Sequence, residues 1–217
     1  MGYIQSFDSL GVTYTGDASG INNNNEDFVY WSWKANPIPS INTDGTIQSV
    51  VSVNQAAGFS IVKYTGDGST SATIAHGLSA TPEFIITKNL EETRDWRVFH
   101  TDLSTNQYLT LNTTGAVGTA PTDTCCGAVA SVGATTFGFV AGNTSATELD
   151  NINKSGIDYI SYCFHSVSGF SKIGEYTGSG SSNTQSINTG FAASFVMIKD
   201  YNAKDRDWET VGNIIYT

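Results

Sequence analysis

The chain has 217 residues, of which 39% are apolar and 14% are charged, with 22 glycines and 4 prolines. This composition is too apolar for a disordered protein, and no apolar run approaches the roughly 20 residues that a membrane-spanning helix needs. The formal net charge of -10 disfavours phosphate backbones and anionic lipid, so nucleic acid and membrane surfaces are excluded as expected partners.

The N-terminal quarter of the chain contains one aromatic segment and one turn signal. Residues 28–33 alternate in a period of two, which predicts a strand whose one face carries Val29, Trp31 and Trp33. We expect that face to point into the core, because a matching later segment keeps its bulk at the same positions. Within residues 35–57, the run Asn42-Thr43-Asp44-Gly45-Thr46 is typical of a hairpin turn.

Short alternating segments continue to the end of the chain, and no stretch shows helical periodicity. Strands are predicted at residues 59–64, 72–78, 83–88, 96–100, 107–112, 136–140, 157–164, 170–176 and 194–199. Many short strands with glycine-rich turns indicate an all-β protein built from duplicated modules that are β-sandwich-like or jelly-roll-like. A β-solenoid and an up-and-down barrel remain open as alternatives.

An internal repeat supports the duplication. The phrase at residues 58–68, Gly-Phe-Ser-Ile-Val-Lys-Tyr-Thr-Gly-Asp-Gly, returns at 169–180 with one extra residue. Phe84-Ile85-Ile86-Thr87-Lys88 then matches Phe195-Val196-Met197-Ile198-Lys199, and Arg94-Asp95-Trp96 matches Arg206-Asp207-Trp208. Upstream, residues 27–33 match residues 158–164. Matches in the same order at a nearly constant offset indicate a true repeat.

The repeat divides the chain into one whole unit and two partial ones. Residues 58–168 form the complete module, residues 1–57 the back part of a repeat plus a hairpin insert, and residues 169–217 the front part of another. The two partial modules could close on each other within the chain, or each could pair with a neighbouring subunit. The chain could also be a fragment of a longer repeat protein.

The residues that could carry chemistry form no recognisable catalytic motif. There is no nucleophile elbow, phosphate-binding loop or zinc spacing, and His76, His100 and His165 are scattered near strand ends. Two carboxylate clusters surround the repeated Arg-Asp-Trp phrase and consist of Glu91, Glu92, Asp95, Asp205, Asp207 and Glu209. We interpret each as a polar turn in which Arg and Asp pair and anchor a Trp that packs inward. The sequence therefore predicts a protein that is not an enzyme, without catalytic residues.

Two sets of residues could bind a ligand. Asp44, Asp67 and the loop at residues 17–27 offer oxygen ligands for calcium, but turn-forming Asp and Asn explain the same residues, so no cofactor or metal is predicted. Exposed aromatic rings could stack on a sugar or meet another subunit, with Tyr64, Trp96, Tyr108 and Trp208 as candidates. Cys125, Cys126 and Cys163 are too few for a disulfide framework.

Several phrases resemble a repeated module of phage proteins. They are Gly58–Gly66, His76-Gly77-Leu78, Pro82–Ile86, Trp96–His100, Tyr108–Thr114 and Gly169–Lys172. Similar phrases occur in a module of unknown function in predicted structural proteins of marine phages that infect cyanobacteria and related oceanic bacteria, often within long tail-fibre-like chains. The resemblance implies a non-enzymatic virion structural protein and supplies no catalytic or ligand-binding residues.

The sequence and the resemblance together favour a phage tail, fibre or capsid-surface component that is located in the virion and assembles through its β modules. Its expected partners are other virion proteins and further copies of itself, with a trimer typical of fibres. An alternative is an adhesion module that attaches to a glycan of the host surface. A polysaccharide depolymerase is the third hypothesis.

Overall fold

The computed structural model describes residues 3–8, 10–15, 24, 28, 30–120, 127–141, 149–180, 184–203 and 205–212. The chain divides into two compact units, Met1–Lys34 and Ala35–Thr217. The described residues of the first unit contain one hairpin, and those of the second contain two larger sheets and a further hairpin.

The strands in the described residues are β1 (Tyr3–Phe7), β2 (Val12–Thr15), β3 (Ser40–Asn42), β4 (Ser49–Asn54), β5 (Phe59–Thr65), β6 (Thr73–Ala75), β7 (Phe84–Asn89), β8 (Arg97–His100), β9 (Gln107–Thr110), β10 (Gly118–Thr119), β11 (Ala128–Val132), β12 (Thr136–Val140), β13 (Asp158–Phe164), β14 (Phe195–Lys199) and β15 (Trp208–Gly212). A short 3-10 helix, Gln55–Ala57, lies between β4 and β5. The prediction of an all-β protein is confirmed. The described part of the chain contains no helix with the length and apolar character needed to cross a membrane.

In the first unit, β1 and β2 pair antiparallel around the carboxylate of Asp8. Ser6 Oγ and Thr13 Oγ1 donate to its two oxygens at 2.9 and 2.6 Å. These hydrogen bonds, above all the one from Thr13, hold the pKa of Asp8 below its usual value, because they favour the charged form.

In the second unit, an eight-stranded antiparallel sheet has the order β10-β9-β8-β7-β13-β5-β4-β3. Strand β13 lies at its centre and pairs with β5 along seven residues and with β7 along six. The segment at 35–57 supplies β3 and β4, and the turn between them begins where Asn42 Oδ1 accepts from the backbone N–H of Asp44 at 2.9 Å. The hairpin predicted there is present.

A three-stranded sheet, β11-β12-β6, packs against the inner face of the large sheet. Val62, Tyr64 and Ile85 of the large sheet meet Ile74 and Phe137 of the small one in the main core cluster. Burying side chains of this size stabilises the fold by about 1.5–3 kcal/mol each, before the cost of ordering the chain. The arrangement confirms the sandwich-like prediction for this part of the chain.

The prediction of which face of the aromatic segment is buried is wrong for β13, the copy that forms a strand. In β13, the buried side chains are Tyr159, Ser161 and Cys163, whereas the bulkier positions matched to Val29, Trp31 and Trp33 lie half-buried on the outer face. On the inner face, Tyr159 and Cys163 belong to the main core cluster together with Phe137 and Phe139 of β12. Both faces of this central strand are apolar, so residue bulk did not identify the inward one.

Two predicted strands are absent. Residues 170–176 form no strand beyond an isolated bridge at Ser171, and residues 28 and 30–33, the described part of 28–33, form none either. A strand needs a hydrogen-bonding neighbour, and the corresponding strands β5 and β13 supply one to each other in the complete module. In these two segments the alternation is present, but the described residues form no strand.

Candidate assembly site

The hairpin β14–β15 repeats the hairpin β7–β8 in backbone register. Phe84 lies opposite His100 and Ile86 opposite Val98 in the first hairpin. Phe195 lies opposite Gly212 and Met197 opposite Thr210 in the second. When Trp96 is aligned with Trp208, these pairs are equivalent, so the sequence repeat is also a structural one.

The turns of the two hairpins share a side-chain contact as well. Lys88 Nζ donates to the backbone carbonyl of Arg94 at 2.6 Å, and Lys199 Nζ donates to that of Arg206. Lys88 also lies 5.9 Å from the centre of the Trp96 ring, a distance at which a cation is attracted to the ring face. The repetition of the two lysines at the end of a strand is a signal in the sequence from which this contact could have been predicted.

The second hairpin is anchored to the outer face and edge of the large sheet. Trp208 Nε1 donates to the carbonyl of Thr110 on β9 at 3.1 Å, and its ring meets Phe84 of β7 edge-on with centroids 6.5 Å apart. The backbone N–H of Val117 donates to the backbone carbonyl of Tyr201 at 2.8 Å. Tyr201 Oη in turn donates to Glu175 at 3.0 Å, and this hydrogen bond raises the pKa of Tyr201. These contacts all hold the side of the hairpin that contains β15 and the connecting turn.

The other edge of β14 has no strand beside it among the described residues. The equivalent edge of β7 is covered by β13, and Ile85 and Thr87 there are fully buried. Their counterparts Val196 and Ile198 are 38% and 36% exposed. An exposed apolar edge strand is a template for pairing with another strand. We call this edge of β14, with Phe195–Lys199, the open edge.

The repeat of β5 is similarly exposed. Phe59 and Tyr64 of β5 are 3% and 2% exposed, whereas their counterparts Phe170 and Tyr176 are 64% and 47% exposed. The second copy of the repeat therefore has the side chains of a core and lacks, in the described residues, the strands that would bury them.

The four candidate aromatic residues do not form a common platform. Tyr64 lies in the core, where its hydroxyl donates to the carbonyl of Ile152 at 2.5 Å, and burial raises its pKa well above the usual value. Tyr108 is also buried and stacks under Arg97 at 3.9 Å. Neither ring presents a face to a ligand. Trp96 and Trp208 are half-buried, and each is engaged by its own turn or by the sheet.

The histidines are structural in their contacts. His76 is fully buried, its Nδ1 accepting from the N–H of Leu78 at 3.1 Å while Nε2 lies 3.2 Å from the carbonyl of Gly133. Burial lowers the pKa of His76, so the neutral ring is favoured. His100 Nδ1 accepts from the N–H of Asp102 at 3.2 Å, and burial lowers its pKa too. His165 Nδ1 lies 2.9 Å from the carbonyl of Ser166.

The first carboxylate cluster is an ion-pair network, with one difference from the predicted pairing. Arg94 pairs with Glu92 and Asp150 at 3.2 and 2.6 Å, and not with Asp95, which accepts from Asn112 instead. Lys154 lies 2.5 Å from Glu92, and this hydrogen bond holds the pKa of Glu92 below its usual value. These ion pairs fasten the 149–154 loop to the turn between β7 and β8. Asp205, Asp207 and Glu209 lie in and beside the second turn and are exposed.

Among the described residues, the candidate calcium ligands do not assemble into a metal site. Within the described ranges, no group of three or more His, Cys, Asp or Glu residues is arranged to hold a metal ion. Asp67 accepts from Ser69 and Asn153 in a turn, while all of the 17–27 loop except Asn24 lies outside the described residues. Cys125 and Cys126 also lie outside them. Burial raises the pKa of the free Cys163 thiol to about 12.

Comparison with known proteins gives a family without an assigned activity. The model of a family described as Domain of unknown function (DUF7483) matches residues 1–213. Since this match covers nearly the whole chain, the protein belongs to that family. No curated protein and no solved structure matches it.

Proposed function

We propose that this member of the DUF7483 family is a non-enzymatic structural protein of a phage virion, a tail, fibre or capsid-surface component that assembles through its β modules. The observation that carries the proposal is the open edge of β14. It is an apolar strand edge in a hairpin whose twin is completely paired, and such an edge serves assembly better than catalysis.

Further support comes from what the polar residues do. The buried histidine and the ion-pair network around Arg94 bond to backbone and side-chain groups of neighbouring strands and loops, which is what a structural role requires. The net charge of -10 disfavours binding to nucleic acid. The virion location is supported by the resemblance of the repeated phrases to modules of marine phage structural proteins.

Immunogold labelling of purified particles tests the location. Antibodies raised against the recombinant chain should label particles of the phage that encodes it at a fixed position. Mass spectrometry of the same particles should find the chain at a constant stoichiometry. A chain that is abundant in infected cells but absent from purified particles would contradict the proposal.

Light scattering on the purified chain tests assembly, and a mass of more than one chain is the expected result. A glycan array, together with a reducing-sugar assay on host polysaccharide, then separates the alternatives. Saturable binding to one sugar structure would favour the adhesion module, and release of reducing ends would favour a depolymerase. The structural role predicts neither signal.

A further inference from the structure

The missing neighbour of β14 can be identified from the complete module. There, β13 pairs with β7 so that Tyr162 lies opposite Ile86, Cys163 opposite Ile85, and Ser161 opposite Thr87. The sequence counterparts of Tyr162, Cys163 and Ser161 are Trp31, Ser32 and Tyr30. Transferring the register places Trp31 opposite Met197, Ser32 opposite Val196, and Tyr30 opposite Ile198.

One of these pairs shows a matched change of chemistry between the copies. Thr87 and Ser161 form a buried hydroxyl pair with their oxygens 2.8 Å apart. At the corresponding positions the second copy has Ile198 and Tyr30, so the hydrogen-bonded pair is replaced as a pair by one that packs through apolar surface. A buried polar group without its partner is costly, and changing both positions avoids that cost.

The incoming residues are themselves exposed. Tyr30 and Trp31 are 75% and 58% exposed and lie in no strand. They belong to the compact unit Met1–Lys34, whereas β14 belongs to the unit Ala35–Thr217. A strand carried on a unit separate from the sheet that it completes is the arrangement by which copies of a chain exchange elements.

We infer that Tyr30–Ser32 of a second copy of the chain add to the open edge of β14 as its next strand, in the register by which β13 joins β7. The inference rests on the assembly role proposed above and names the partner. Each copy both donates and accepts a strand. Reciprocal exchange therefore closes a dimer, and one-way exchange extends a ring or filament.

Cross-linking between two distinguishable chains tests both the partner and the register. Cys125 and Cys126 are replaced by serine, while the fully buried Cys163 is retained. Chains with Trp31→Cys or Ser32→Cys and an affinity tag are mixed with untagged chains carrying Met197→Cys or Val196→Cys, and then mildly oxidised. The pairs 31 with 197 and 32 with 196 should form disulfide-linked heterodimers. The crossed pairs, 31 with 196 and 32 with 197, should not, because their side chains point to opposite faces of the strand.

Three outcomes of the cross-linking would overturn the inference. A double variant, Trp31→Cys with Met197→Cys, that yields only cross-linked monomers at high dilution would show that the strand comes from the same chain and would overturn the inference. Equal cross-linking of registered and crossed pairs, or none at all, would also overturn it.

A charge placed on the open edge provides an independent test. Ile198→Lys should weaken self-association at least about tenfold, because the ammonium would be buried against Tyr30 without a partner. The matched control is Ile41→Lys on β3, the edge strand of the large sheet, where the side chain is 67% exposed. The control should leave association unchanged. Equal effects, or no effect of Ile198→Lys, would contradict the inference.

These results are separable from the test of virion membership. If registered cross-links form between chains but the protein is absent from purified particles, the proposed virion role is contradicted and the strand exchange is not. If particles contain the protein but no cross-links form between chains in solution or in the particle, the strand exchange is contradicted and the virion role is not.

Discussion

The hairpins β7–β8 and β14–β15 have the same register and the same lysine contact at the turn, yet their surroundings differ. Ile85 is fully buried and Val196 is 38% exposed. At the next inward position, the buried residue is the polar Thr87 and its exposed counterpart is the apolar Ile198. Hairpin geometry is therefore encoded locally, whereas burial of its side chains depends on what packs against the hairpin.

The largest expected difference between the hairpins comes from cutting equivalent side chains. Ile85→Ala removes a fully buried side chain from the sandwich core and should lower the free energy of unfolding by about 2–5 kcal/mol. Val196→Ala in the isolated chain should stay within about 0.5 kcal/mol, as for surface substitutions generally. Urea unfolding at a concentration where the chain is monomeric measures both. Equal losses would show that the open edge is already covered.

The second comparison removes one oxygen atom from equivalent tyrosines. Tyr64→Phe deletes the hydroxyl that donates to the carbonyl of Ile152, leaves that carbonyl without its buried donor, and should cost about 1–3 kcal/mol. Tyr176→Phe, at the 47% exposed counterpart, should change stability by less than about 0.5 kcal/mol. Thermal unfolding of the two variants beside the unmodified protein checks the contrast. A costly Tyr176→Phe would place its hydroxyl in a second closed module.

The sequence predicted several strands whose alternation comes with a pairing strand in the fold. Strands β5, β7, β13 and β14 lie where the period-two pattern and the repeat placed them. It failed for residues 170–176, where the same pattern is present but no neighbouring strand pairs with it in the described part of the chain. An alternating pattern indicates that a segment can form a strand, and pairing with a neighbouring strand determines whether it does.

The candidate site was only partly accessible to sequence reasoning. The repeat indicated that the second copy was incomplete, which led to the expectation of assembly. The inward face of β13 was misjudged because Tyr162 and Phe164 are bulkier than the buried Ser161 and Cys163. The partner of Arg94 was also missed, since Asp150 is distant in sequence and meets it only through the fold.

A smaller effect, on pH dependence, distinguishes the complete module from its copy, which has Thr189 near the position of His76. Burial lowers the pKa of His76 in the folded protein, so below the unfolded value of about 6.5 the unfolded chain binds the extra proton. Stability should therefore fall as pH drops below that value, by at most about 1.4 kcal/mol per pH unit.

Urea unfolding between pH 5 and pH 7.5, values chosen to bracket a reference pKa of about 6.5, measures this slope. His76→Gln keeps a neutral hydrogen-bonding side chain and should flatten the curve. His100→Gln is the companion variant, because burial lowers the pKa of His100 as well. An unchanged slope in His76→Gln would assign the pH dependence to other groups.

The smallest effects should be the ones that the two hairpins share. Lys88→Met and Lys199→Met each remove a hydrogen bond to a turn carbonyl while keeping the length of the side chain, and each should destabilise its own hairpin by about 0.5–1.5 kcal/mol. Hydrogen exchange resolved to β7–β8 and to β14–β15 measures the local opening that global unfolding would miss. Each variant is the control for the other, since its effect should be confined to the hairpin that carries it. If Lys88→Met loosens β7–β8 while Lys199→Met leaves β14–β15 unchanged, the equivalence stops at the backbone. The register transferred to Tyr30–Ser32 would then depend on strand pairing alone, without support from the turns.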